Sequence, residues 1–329
     1  MTARKLTLEE IRRGDRRALA RAITLVESTR ATDRIAAEAL LTALLPHTGN
    51  AMRIGISGAP GSGKSTFIEA FGGFLTGSGK QVAVLAIDPS SRRSGGSILG
   101  DKTRMERLTL DPRAYIRPSP AGTTLGGVAR RTRETLLLVE AAGFDVVLVE
   151  TVGVGQSETA VAEMVDLFVV LVSPGGGDDL QGIKRGLMEL ADLVLVTKAD
   201  GDHLKPAVRA VSDYGSALHL MRPKYPAIPA QILQISALEG TGMEKVWTIL
   251  RELHERLAAA GFLQTLRRQQ AARWFRAEVQ AVFGEFVAAD AAVARQSRRV
   301  ERDVIAGRLL PHAAARSLVA AALGRLDGP

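Results

Sequence analysis

The sequence predicts an α/β protein: a doubly wound, mostly parallel sheet with helical extensions at its N- and C-terminal ends. Three observations carry that prediction. Short apolar runs rich in branched residues alternate with helix-periodic stretches through the middle of the chain. A glycine-rich loop joins the first of those runs to the first of those helices. Both ends lack strand-like runs and are periodic as helices.

From Leu6 to Leu45, Leu8, Ile11, Leu19, Ile23, Leu25 and Val26, then Ile35, Leu40, Leu41, Leu44 and Leu45, recur at helical spacing with a break near Thr29 to Asp33. Arg12, Arg13, Arg16, Arg17 and Arg21 lie between them as a basic face. Residues 1–48 are therefore expected to form an N-terminal helical extension. Pro46 to Asn50 ends that pattern and delivers the chain to the first strand, Met52 to Ser57. Further strands are expected at Val82 to Ile87, Val146 to Glu150, Leu167 to Val172, Leu193 to Val196 and Ile232 to Ile235. Helices are expected at Thr124 to Ala142, Leu180 to Leu190, Leu204 to Leu218 and Met243 to Ala260. Residues 49–260 would make one domain whose site lies at the strands' carboxyl ends. Asp88 to Pro120, rich in Gly, Ser, Arg and Pro, is expected to be a long irregular insertion with the role of a switch. Residues 261–329 are helical and basic, with Trp274, Phe275, Val279, Val282, Phe283 and Phe286 forming an apolar stripe and Val304 to Leu326 a further amphipathic stretch. They are expected to be an arm for self-association.

The chain has 329 residues, 46% of them hydrophobic, enough for one large core with helical additions. No run approaches the length of a membrane-spanning helix, and Met1 to Lys5 leads into charged residues rather than an apolar signal segment. A cytoplasmic protein without a membrane partner is expected. With no cysteine, disulfides, thiol nucleophiles and Cys-ligated metals are excluded, so a metal must be held by oxygen or His. The net charge of +8 comes from arginines dispersed along helical stretches, and aromatics make up only 4% of the chain, too few for base-stacking platforms. Nucleic acid is not expected as a partner.

Gly58-Ala59-Pro60-Gly61-Ser62-Gly63-Lys64-Ser65-Thr66 has the spacing of a P-loop, between a strand and a helix marked by Phe67, Ile68, Ala70, Phe71 and Phe74. Glycines let backbone N–H groups and a helix N-terminus face a phosphate. Lys64 adds a point charge and Ser65 a hydroxyl for Mg²⁺. The run Val146 to Val149 ends in Glu150-Thr151-Val152-Gly153, which puts an acid at the tip of a buried strand, where it can hold Mg²⁺. Gly153 lets a backbone amide approach the terminal phosphate. Asp88 ends its own strand and Asp101 follows in Gly100-Asp101-Lys102-Thr103. Either carboxylate could serve the ion or position water, and spacing does not choose between them.

After the strand Leu193 to Val196, Thr197-Lys198-Ala199-Asp200 has the form of a base-reading loop. The Asp200 carboxylate can accept from N1–H and the exocyclic amine of guanine, and the Lys198 stem can cover the ring, so GTP is the expected nucleotide. Thr197 stands where Asn is usual, a departure expected to weaken the hydrogen bonds that tie these loops together. Ser236-Ala237-Leu238 fits the loop whose backbone contacts the guanine oxygen.

In these residues, and in Ala86 to Ser91, Gly100 to Met105, Glu150 to Glu158 and Leu180 to Gly186, the chain resembles the MeaB/ArgK GTPases, G-protein chaperones of adenosylcobalamin-dependent acyl-CoA mutases. The resemblance implies Mg²⁺ near Ser65, Asp88, Asp101 and Glu150, a mobile third switch at Pro174 to Lys184, and a homodimer formed through the C-terminal arm. Such an enzyme gates cofactor loading and protects its mutase. Lys64 and Glu150 are the expected catalytic residues, joined by Lys184 if partner docking brings its charge to the phosphates. Gln156 is placed unusually for a water-orienting residue. The rival reading is a P-loop kinase, of a basic-amino-acid transport system or of a small metabolite. Asp200 speaks for guanine, and the chain has no second substrate pocket legible in its sequence.

Overall fold

The computed structural model describes residues 7–87, 105–118, 125–151, 157–174, 185–225 and 228–326. Among these, seven strands form one wholly parallel sheet: β1 (Met52–Gly58), β2 (Val82–Ile87), β3 (Ala114–Arg117), β4 (Val146–Thr151), β5 (Leu167–Val172), β6 (Leu193–Val196) and β7 (Gln231–Gln234). Their order is β3-β2-β4-β1-β5-β6-β7, which places β1 centrally between β4 and β5.

Parallel strands are covered on both faces, so their side chains divide by parity between two apolar layers. Val147 and Val149 of β4, Phe168, Val170 and Val172 of β5, and Val194 and Val196 of β6 enter one layer. Val146 and Leu148, Leu167, Val169 and Leu171, and Leu193 and Leu195 enter the other. Continuous apolar runs result, and these made six of the seven strands legible in the sequence.

Helices α1 (Leu8–Arg12), α2 (Arg16–Glu27) and α3 (Ala31–Leu44) reproduce the expected break, which falls at Ser28 to Arg30. Thr7 and Glu10 form a capping box on α1, and the Asp15 side chain caps α2 by accepting from Ala18 N–H at 2.7 Å. Their buried side chains Ile11, Leu19, Ile23, Val26 and Leu44 share the first layer with Leu136, Leu138 and Val139 of α6 (Leu125–Ala141). The N-terminal helices thus complete one face of the core.

Two elements lie inside the stretch read as irregular. Helix α5 (Glu106–Leu110) and the edge strand β3 follow residues 88–104, which lie outside the described residues. Helix α4 (Lys64–Gly77) leaves the P-loop and reaches this region: the Glu69 carboxylate accepts from Arg107 N–H at 2.8 Å and from Leu108 N–H at 3.2 Å. The remaining helices of the first unit are α7 (Ser157–Ala162), which the sequence did not signal, α8 (Arg185–Leu190), α9 (Leu204–Leu220) and α10 (Met243–Ala259).

The chain divides into two compact units, Met1–Leu266 and Arg267–Pro329. The second contains most of α11 (Phe262–Ala289), then α12 (Ala291–Ile305) and α13 (Pro311–Leu326). Asp290 caps α12 by accepting from Ala292 and Val293 N–H, both at 2.9 Å. The amphipathic stretch from Val304 is interrupted: α12 ends at Ile305 and α13 starts at Pro311. Phe275, Val279, Val282, Ile305 and Leu310 are exposed.

One ion pair locks β1 to α6. The Arg53 guanidinium donates twice to Glu140, each bond 2.8 Å, and Gly49 N–H donates to the same carboxylate at 2.9 Å. Glu140 is 4% exposed and the Arg53 side chain 14%, so Glu140→Ala leaves a largely desolvated guanidinium uncompensated. The expected loss is about 3–5 kcal/mol in urea unfolding, and the double variant Arg53→Met with Glu140→Leu should recover part of it. A loss below about 1 kcal/mol for Glu140→Ala would show that the pair contributes no more than a surface bridge.

Candidate functional site: a guanine-nucleotide cradle

The site is assembled at the carboxyl ends of β1, β4 and β6. β1 ends at Gly58, where φ is 153° and an added Cβ would meet the Leu171 carbonyl oxygen of β5 at 2.4 Å. Only glycine can pass that close to the neighbouring strand. The loop re-enters helix at Gly63, the N-cap of α4, with φ at 89°. Gly63 gives α4 no side-chain cap, so the first-turn N–H groups have no side-chain acceptor and are set to bind an anion. Ala59, Pro60, Gly61 and Thr66 are exposed along the lip of the loop, whereas Ser62 is buried and its hydroxyl has no hydrogen-bond partner among the described residues.

Lys64, 8% exposed, folds back over the loop and donates to the carbonyls of Gly58 at 2.8 Å and Ala59 at 3.1 Å. Burial holds its pKa below the ordinary lysine value, against the opposing pull of the Glu150 and Glu158 carboxylates. Glu158, near the start of α7, is an electrostatic partner that the sequence pattern did not assign. Its only signal was its place in the run Gly155-Gln156-Ser157-Glu158.

Glu150 lies beside Ile56 in the β1–β4 register and is only 7% exposed despite its charge. The Ser65 hydroxyl donates to its Oε1 at 3.3 Å. One residue on, the Thr151 hydroxyl donates to Ser57 Oγ at 2.9 Å and stitches the two strand ends together. A hydroxyl and a carboxylate side by side are hard oxygen donors, a set that suits Mg²⁺. Among the described residues no group of three His, Asp or Glu side chains forms a metal cluster. Asp88, Asp101, Gly153 and Lys184 lie outside the described residues, as does Gln156.

The loop expected to read the base holds a tie that the sequence did not anticipate. Thr197, expected to weaken the ties between loops, makes one: its hydroxyl lies 2.8 Å from the Ser62 carbonyl of the P-loop and 3.1 Å from the Val172 carbonyl of β5. Thr197 is buried, so the threonine hydroxyl joins β5, β6 and the phosphate loop without an amide side chain. Lys198 is exposed with φ at 55°, the sole non-glycine residue at positive φ among the described residues. That turn presents its stem at the surface and returns Ala199 N–H to the Ile235 carbonyl at 3.0 Å. Asp200 follows, half-buried, and accepts a hydrogen bond from the Ser236 hydroxyl through Oδ2. Ser236 also accepts from Glu239 N–H at 3.2 Å, so this fully buried serine joins the two loops that flank the expected base. Ala237 is half-buried, and Leu238 is 80% exposed beside them.

The structure thus brings the P-loop, the Ser65–Glu150 pair and the Thr197–Asp200 and Ser236–Leu238 loops to one edge of the sheet. A family model described as "Methylmalonyl Co-A mutase-associated GTPase MeaB" matches residues 19–291. GTPase ArgK of Escherichia coli is 50% identical over 83% of each chain. The mouse protein named methylmalonic aciduria type A homolog, mitochondrial, is 47% identical over 94% of this chain and 77% of its own. A crystal structure described as a LAO/AO transport system kinase superposes with a TM-score of 0.75 at 40% identity, covering 95% of both chains. The chain therefore belongs to the MeaB family of P-loop GTPases: it binds GTP and GDP and hydrolyses GTP.

Proposed function

We propose that this GTPase is the G-protein chaperone of an adenosylcobalamin-dependent acyl-CoA mutase, methylmalonyl-CoA mutase or a relative, gating cofactor loading and protecting the loaded enzyme. The observation that carries the proposal is the family match across most of the chain, whose description names association with that mutase. Mg²⁺, held by Ser65 and Glu150 with Asp88 and Asp101 as further candidates, would supply positive charge against the nucleotide's phosphates. The chain's own part is to orient phosphate through the α4 N-terminus and Lys64, to read the base through Asp200, and to add the charge of Lys184 when the mutase docks. Gly153 would place a backbone amide at the terminal phosphate.

In this reading the protein works in the cytoplasm as a homodimer. The exposed Phe275, Val279 and Val282 on α11 supply an apolar face for self-association. Among the described residues no helix is long and apolar enough to cross a membrane. The Asp200–Ser236 hydrogen bond, which holds the carboxylate where it would read guanine, supports the GTPase reading over the kinase one. A kinase would also transfer label from γ-phosphate to an acceptor.

A nucleotide can shift a partner only through contacts that differ between its states. Titrating a B12-dependent acyl-CoA mutase with the protein bound to a GTP analogue, to GDP or to no nucleotide should therefore give affinities differing by about fivefold or more. Absence of binding in all three states would remove the mutase from the assignment and leave the GTPase in place.

A further inference from the structure

We propose that a second, separate anion site lies at the far edge of the sheet and takes a small molecule carrying at least two phosphate charges. The site is a cleft of about 800 Å³ between α2, the start of α3, the end of β3 and α6, a size ordinary for a ligand site. Arg21 comes from α2, Arg30 is the N-cap residue of α3, Arg117 ends β3, and Arg131 stands on α6. A solvated basic helix face places arginines at helical spacing on one element. Here four separate elements deliver one each to a single cleft.

Carboxylates are fewer on the lining. Glu27 and Asp33 are the acids there, two against four guanidiniums. Glu27 is engaged by Arg117 in a two-bond pair, one bond being 3.1 Å from Nε to Oε1. Asp33 accepts from the Ser28 hydroxyl at 2.6 Å. Arg30 is exposed at the N-terminus of α3. The lining residues thus carry positive charge in excess.

Guanidinium is the group that recognises phosphate by paired hydrogen bonds. A carboxylate offers its two oxygens in one plane. The tetrahedral oxygens of a phosphate pair face several directions, which suits guanidiniums delivered to one cleft from different elements. Ala20 and Leu25, also on the lining, leave room for an apolar portion of the ligand. The cleft cannot be the GTP site, because β3 stands three strands from β1, roughly 14 Å across the sheet. It nevertheless opens on the same carboxyl edge, since Arg117 is the last residue of its strand.

The test titrates inorganic pyrophosphate into the protein saturated with GDP, with free Mg²⁺ matched in cell and syringe, so that the P-loop is occupied. Wild type should bind, and Arg30→Glu and Arg21→Glu should each weaken pyrophosphate by about tenfold or more, the size of one charge-assisted contact, with GDP affinity unchanged. Both side chains are exposed, which keeps the folded state available to each variant. No binding by wild type at millimolar pyrophosphate would overturn the proposal. So would equal affinities in wild type and both variants, or competition by sulfate at equal concentration. Binding of an acidic peptide such as oligoglutamate in place of pyrophosphate would also overturn it, since the cleft would then be a protein-docking surface.

Discussion

Lys64→Ala is expected to abolish tight binding of GTP and GDP, and with it hydrolysis, while the protein stays folded. The ammonium is buried with its charge opposed by desolvation, and it rests on two carbonyls of its own loop. Those contacts offset only part of the cost of burying a charge, so removing it does little harm to the fold. Its use arises when phosphate oxygens enter the cradle. Each charge-assisted contact to them is then worth roughly 1.5 to 3 kcal/mol, at least about a tenfold loss of affinity for every contact removed. Calorimetric titration of both nucleotides, with circular dichroism and thermal unfolding alongside, reads the two halves of this prediction separately. A folded variant with wild-type affinity for GTP would show that the loop does not bind through Lys64, and the mechanism built on it would fall.

What the sequence made legible was the part of the site set by local backbone rules. The P-loop needs glycine where a Cβ would strike Leu171 and where the chain turns into α4, and Glu150 announces itself as a charge closing an apolar run. The missed features depend on partners remote in the chain. Thr197 was read as a weakened tie because its main partner is the backbone carbonyl of Ser62, 135 positions away, and no pattern of residue types marks a carbonyl. The strand β3 offers only Ala114, Tyr115 and Ile116 before Arg117, set between Pro112 and Pro118 in a stretch rich in Gly, Ser, Arg and Pro, so its composition read as irregular. Arg21, Arg30, Arg117 and Arg131 belong to four different elements, so each looked like one more solvated charge until the fold brought them together. The opposite holds for the loop proposed to read the base, where strand, turn and acid are contiguous and the role proposed for Asp200 is local.

That locality gives the second large effect: Asp200→Asn should lose GTP by about a hundredfold or more and gain xanthosine triphosphate. Guanine presents N1–H and an exocyclic amine, two donors that a carboxylate accepts together. An amide accepts one and sets its own NH₂ against the other, leaving donors unpaired in a closed site, the circumstance in which discrimination is greatest. Xanthine keeps N1–H but carries a 2-oxo group, which the amide NH₂ of the variant can satisfy. The Ser236 hydroxyl that donates to Asp200 Oδ2 can donate equally to an amide oxygen, so the side chain stays aimed and the swap tests charge and donor pattern rather than position. Competition of GTP, XTP and ATP for the P-loop, measured on wild type and variant, gives the result directly. Wild type should rank GTP far above ATP and XTP, and the variant should invert GTP and XTP. If wild type held ATP as tightly as GTP, or the substitution left the ranking unchanged, base choice would not reside in Asp200, and the kinase reading would regain its standing.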